Sequence, residues 1–78
     1  MMEDLIIARL HHANHKNADG THREILISKP LVFATYYSDA DKSTHVVSTA
    51  GAIIPVVESP EDVAKACGLN ITKENQNG

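Results

Sequence analysis

No apolar run in this chain is longer than about five residues, and each is closed by a turn residue or a proline within the length of a strand. A bilayer-spanning helix is excluded by that spacing, since it needs about twenty apolar residues. What remains is a set of short strands, whose side chains alternate between two faces, and any short helix that is well capped.

Ile6, Ala8 and Leu10 recur at period two and predict one face of a first strand within residues 4–12. A short helix is the competing reading, because Leu5, Ala8 and Arg9 also fit its period; the brevity of the run favours a strand. The polar string at 13–21, ending in Asp19-Gly20-Thr21, predicts a long hairpin loop. Residues 22–28 predict strand two, which Lys29-Pro30 interrupts because proline has no N–H to give a ladder. Strand three, at 31–37, is β-branched and aromatic. It places Leu31, Phe33 and Thr35 on one face and Val32, Ala34 and Tyr36 on the other. Both faces are largely apolar, so the second is expected to be covered, first of all by another copy of the chain.

Residues 38–43 form a turn cluster, 44–49 predict strand four, and Ala50-Gly51 a tight turn. Strand five, at 53–57, contains Pro55, which predicts an edge position or a bulge. Ser59-Pro60-Glu61-Asp62 then reads as an N-cap, a proline at the first helical position and two acids in the electropositive first turn. Val63, Ala66 and Cys67 supply an apolar stripe and Gly68 a stop, which predicts a helix over 60–67 packed on the sheet. The fold class is therefore α+β and β-dominated: about five short, mainly antiparallel strands in a small sheet or barrel, with one short C-terminal helix. Residues 1–69 read as a single domain and 70–78 as a disordered polar tail.

A chain of 78 residues has room for one core and leaves roughly 40% of its unfolded surface exposed. Chains of this size draw support from disulfides, metals or a second subunit. Cys67 is the only cysteine, which removes an internal disulfide, and the acidic start Met1-Met2-Glu3-Asp4 lacks the basic flank of a signal peptide. The compartment expected is the cytoplasm. The formal net charge is -3, with basic residues scattered from Arg9 to Lys73. That pattern argues against nucleic acid or an anionic membrane as partner.

Residues 23–66 resemble the small FlbD-like family of bacterial flagellar and swarming-associated proteins. The resemblance is carried by Ile25-Leu-Ile-Ser-Lys-Pro30, by Thr44-His-Val-Val-Ser-Thr-Ala-Gly51 and by Val56-Val-Glu-Ser-Pro-Glu-Asp-Val63, about half of the chain. Two departures stand beside it: the segment at 13–21 is longer than the family's first turn, and Ser28-Lys29 precedes the proline where Asn is usual. The resemblance implies a small bacterial or phage protein with a β-rich fold and no enzymatic activity.

Histidine is the over-represented functional residue type. His11, His15 and His22 are the candidate ligands of a zinc module, imidazole being the commonest zinc ligand. Against this, the adjacent His11 and His12 point to opposite sheet faces, and a histidine-rich solvated loop explains the same residues. Asp39, Asp41, Ser43 and His45 have the makings of a nucleophilic triad, but they share one turn, where Asp and Ser are favoured for local backbone bonding. The expectation is that the chain is not an enzyme and binds no cofactor. Cys67, near a helix C-terminus, reads as a packed residue rather than a nucleophile.

The leading expectation is a protein-interaction or regulatory module that binds through a sheet edge or an apolar sheet face. Its interface is placed on Val32, Ala34 and Tyr36 of strand three and on Ile53 and Val57 of strand five. A homo-oligomer is expected first, another protein second. The alternatives are single-stranded nucleic-acid binding through Tyr36 and Tyr37 and the histidine-based zinc module.

Overall fold

The first hairpin pairs β1 (Ile7–Lys16) with β2 (His22–Ser28) in a computed structural model that describes residues 6–69. A 3-10 turn at Lys29–Leu31 leads into β3 (Val32–Ser38), followed by β4 (Ser43–Ser48), β5 (Ile53–Val56) and the helix α1 (Pro60–Cys67). All four strand pairings are antiparallel, and the strand order is β2-β1-β5-β4-β3. The expected fold class is the observed one. The tail expected from Asn70 lies outside the described residues.

The strand order has a geometric consequence. β2 and β3 are the two ends of the sheet, yet a three-residue turn joins them in the chain. The sheet therefore curls enough to bring the end of β2 and the start of β3 beside one another at that turn, where they share a cleft without pairing.

The core follows from the period-two residues. Ala8 and Leu10 of β1, Ile27 of β2, Val32 of β3, Val46 of β4 and Val56 of β5 all point inward, and Val63 and Cys67 of α1 pack onto them. Ala8 lies opposite Ile27 and Leu10 opposite Ile25, so one inward row crosses two strands. Ile6 does not continue that face; it precedes β1 and is half exposed.

The helix is bounded as its caps predict. The Ser59 hydroxyl accepts the Asp62 N–H at 3.1 Å, Pro60 occupies the first turn, and Gly68 ends the helix in the left-handed conformation, φ 75°. Val63, Ala64 and Cys67 are buried beneath it. Burial pushes the Cys67 thiol above its ordinary pKa, with Lys29 pulling weakly the other way, so the thiol stays protonated and packs as a small apolar residue.

Three details differ from the sequence-based expectation. β1 runs on to Lys16, so the loop contracts to residues 17–21, closed by the Asn17 N–H bond to the Thr21 carbonyl at 2.7 Å. Polar side chains do not prevent pairing, because the ladder is made of backbone groups; a register shift between His11 and Lys16 absorbs the extra length. Second, β5 is interior to the sheet, between β1 and β4, and not an edge. It tolerates Pro55 because β1 meets it only at the His12–Val56 pair and through the Val57 N–H bond to the His11 carbonyl at 3.0 Å. Pro55 thus lies beyond the last rung on that side. Third, an irregularity between Val32 and Ala34 breaks the alternation of β3.

Candidate interaction surface at the open seam

Where β2 and β3 diverge around the 3-10 turn, the curled sheet leaves an apolar cleft of about 200 Å³. Its walls are Leu26, Ile27 and Ser28 from β2, Leu31 from the turn, Val32 from β3, Val46 and Ser48 from β4, and Ile54 from β5. The Ser48 hydroxyl already accepts the N–H groups of Ala50 and Ala52, both at 3.1 Å, so the wall has little polar capacity to offer. Cofactor and substrate pockets commonly occupy about 300–1,000 Å³. This cleft is smaller, and its size and chemistry suit one apolar side chain.

Two of the lining residues, Leu26 and Leu31, are large, apolar and exposed, and Phe33, next to Val32 in the chain, is exposed without lining the cleft. Leu26 is 60% exposed, Leu31 57% and Phe33 71%. Leu26 points away from the core because it lies between the inward-facing Ile25 and Ile27, opposite Arg9. Phe33 is turned outward at the irregularity in β3. None of the three was among the expected interface residues. The available signal was the run Ile25-Leu26-Ile27, which puts an apolar residue on both faces of one strand.

The expected interface residues divide. Val32 is buried in the core and lines only the floor of the cleft, a correction that follows from the irregularity beside it. Ala34 and Tyr36 do lie on the outer face of β3, opposite Val47 and His45. Ile53 and Val57 are half exposed but belong to the interior strand or its end, so they offer side chains and no free sheet edge.

Tyr36 and Tyr37 are both about half exposed and lie on opposite faces of β3, facing His45 and Thr44 respectively. They do not form one stacking platform. Tyr36 joins a chain of contacts across β3 and β4: its hydroxyl is 3.2 Å from His45 Nδ1, and His45 Nε2 is 2.7 Å from Asp41 Oδ2. A carboxylate only accepts, so Nε2 carries the proton and, in the neutral ring, Nδ1 accepts from the tyrosine. Asp41 and His45 are thus brought together, while Ser43 is not part of the chain; its hydroxyl is buried without a partner. The three residues staple a turn to an edge strand and hold the Tyr36 ring in place.

The histidines of β1 and β2 are spent separately. His11 Nδ1 lies 2.7 Å from Glu58 Oε2, and His22 Nδ1 donates to the His12 carbonyl at 2.9 Å. His15 packs edge-on against the His12 ring at 4.3 Å. Partial burial and the neighbouring His15 lower the His12 pKa. His11, His15 and His22 do not converge as a zinc site requires, and no group of three or more metal-ligating side chains occurs among the described residues. Tyr37, His22 and Asn14 instead border a separate polar hollow of about 420 Å³ beside the β3–β4 turn.

No described helix is long and apolar enough to cross a membrane. No protein-family model, curated protein or solved structure matches this chain.

Proposed function

We propose that this chain is a non-catalytic protein-interaction or regulatory module whose binding surface is the open seam between β2 and β3. The observation that carries the reading is the conjunction at that seam. β2 and β3 meet at the 3-10 turn without pairing, and the cleft beside that turn is apolar and the size of a side chain. Leu26 and Leu31 stand exposed in its walls. A free edge offers backbone hydrogen bonds to an added strand, and pockets beside it select that strand's side chains. The occupant that fits is an extended, uncharged polypeptide segment carrying an apolar anchor. The resemblance of residues 23–66 to FlbD-like proteins supports the non-enzymatic part of this reading and a bacterial or phage source.

Panning a displayed random-peptide library on the purified protein tests it. Apolar extended peptides should be enriched and should bind at about micromolar Kd, and Leu26→Asp should weaken them at least about tenfold. Failure to enrich any peptide, or binding indifferent to Leu26→Asp, would overturn the reading.

A further inference from the structure

The polar hollow beside the β3–β4 turn shares no residue with the cleft at the seam. Its volume of about 420 Å³ is that of a small-molecule site. Asn14 of β1, His22 of β2, Tyr37 of β3, Asp41 and Lys42 of the turn and Ser43 of β4 line it. Ser43 is 7% exposed and its hydroxyl has no partner, although a buried polar group that gives up water without gaining a bond costs stability. Lys42 is held at φ 56°, a left-handed backbone that glycine or asparagine takes up more readily. Its ammonium has no carboxylate within ion-pair distance among the described residues. The Tyr37 hydroxyl and the Asn14 side-chain amide are likewise without a hydrogen-bond partner there. His22 is different, because its bond to the His12 carbonyl at 2.9 Å makes the ring a fixed wall. Strained backbone and unspent polar groups gather where a protein holds a ligand.

We infer that this hollow binds a small organic monoanion, a carboxylate on a compact apolar body. The unspent groups choose the charge. Lys42 supplies one positive charge, and the Tyr37 and Ser43 hydroxyls and the Asn14 amide supply neutral donors. A carboxylate accepts from all of them and gives the Ser43 O–H the acceptor it lacks. Asp41 limits the ligand to a single charge. Its carboxylate lines the same hollow, with Oδ2 already 2.7 Å from His45 Nε2. One lysine balances one negative charge, and Asp41 opposes a second, which disfavours a phosphate dianion. The remaining lining sets the body of the ligand. Ala13, Val57 and the Tyr37 ring are apolar surface beside the donors, against which a flat hydrocarbon group can lie. The backbone strain at Lys42 then has a use, since glycine would relax the turn but bring no charge to the lining.

Titration of the isotope-labelled full chain with sodium benzoate, followed by amide NMR, reads both affinity and place. Benzoate should bind with a Kd of about 1 mM or tighter. It should shift the amides of Asn14, His22, Lys42 and Ser43 and leave those of Leu26 and Leu31 in place. Benzamide has the same shape without the charge, and it and inorganic phosphate should each bind at least about tenfold more weakly. Lys42→Gly should weaken benzoate at least about tenfold without lowering the melting temperature, so that loss of fold does not account for the change. Tyr37→Phe, which keeps the ring and removes the hydroxyl, should weaken it about threefold. Absence of a saturable shift at benzoate concentrations well above that Kd would overturn the inference. So would equal binding of benzamide or phosphate, or an affinity indifferent to Lys42→Gly. The cleft takes no part in this titration, so its outcome is independent of the peptide panning.

Discussion

Glu58 ties the junction between β5 and α1 to the middle of β1. Its Oε1 accepts the His11 backbone N–H at 3.0 Å, and its Oε2 takes the proton of His11 Nδ1 at 2.7 Å. Burial works against the charge, since the carboxylate side chain is only 20% exposed, but the two bonds from His11 outweigh it and hold the Glu58 pKa below its ordinary value. In the unfolded chain a glutamate titrates near pH 4.3, roughly. Between the two pKa values the unfolded chain binds more protons, so stability rises with pH there. The contribution is fully present above the unfolded pKa and is lost as pH falls through the folded one. A hydrogen bond to a charged group is worth about 1.5–3 kcal/mol when shielded. The His11 side chain is 45% exposed, and the ring bond belongs on the surface-pair scale of about 0.2–1 kcal/mol. Glu58→Gln keeps an acceptor for the backbone N–H and removes the charge, so it should cost about 1 kcal/mol at pH 6–7. Urea unfolding of both proteins followed by dichroism, from pH 3 to pH 7, isolates Glu58, because every other carboxylate titrates in both. The difference should shrink as pH falls below the unfolded value. A difference that stays constant over that range, or none at pH 7, would refute the argument.

Three further outcomes follow from the packing and the caps. Leu10→Ala empties one of the largest fully buried side chains and should cost about 3 kcal/mol, out of a total on the order of 4–12 kcal/mol for a domain of this size; urea midpoints measure it. Ser59→Ala removes the acceptor of the Asp62 N–H and should cost about 1 kcal/mol, with Ser59→Asp restoring most of it. Lys42 is the one described non-glycine residue with positive φ, 56°; Lys42→Gly should relieve the side-chain crowding and raise stability by up to about 1 kcal/mol, and a lower melting temperature in that variant would count against the reading.

What could be read in the sequence was what is local. The bounds of β2 and α1 follow from Pro30, Ser59, Pro60 and Gly68, each acting on its own few residues of backbone. The end of β1 is not legible in the sequence, because residues 13–16 are polar or small and the register with β2 is regained only at Lys16, opposite His22. Val32 was placed on the wrong face because period-two counting runs through an irregularity that only the pairing with β4 reveals. Glu58 and His11 are 47 positions apart, and no spacing rule connects them. Pro55 drew the correct inference about a missing N–H; the structure meets that need by ending the β1–β5 pairing at Val56 instead of placing the strand at an edge.

The seam itself is written in the chain more directly than its side chains are. Consecutive strands are neighbours in about two-thirds of cases, and here β1 with β2, β3 with β4 and β4 with β5 all obey. Among the described strands, β2 and β3 are the consecutive pair that does not. A hairpin there would need a tight turn with residues that accept positive φ, and the chain instead has Lys29-Pro30-Leu31 in a 3-10 turn. Proline fixes its own φ and offers no N–H, so the chain turns away from the ladder at the point where β2 and β3 would have joined. Had they joined, the cleft beside the turn would be closed by the β2–β3 ladder. The proline that reads as an interruption of strand pairing therefore leaves β2 and β3 unpaired with each other.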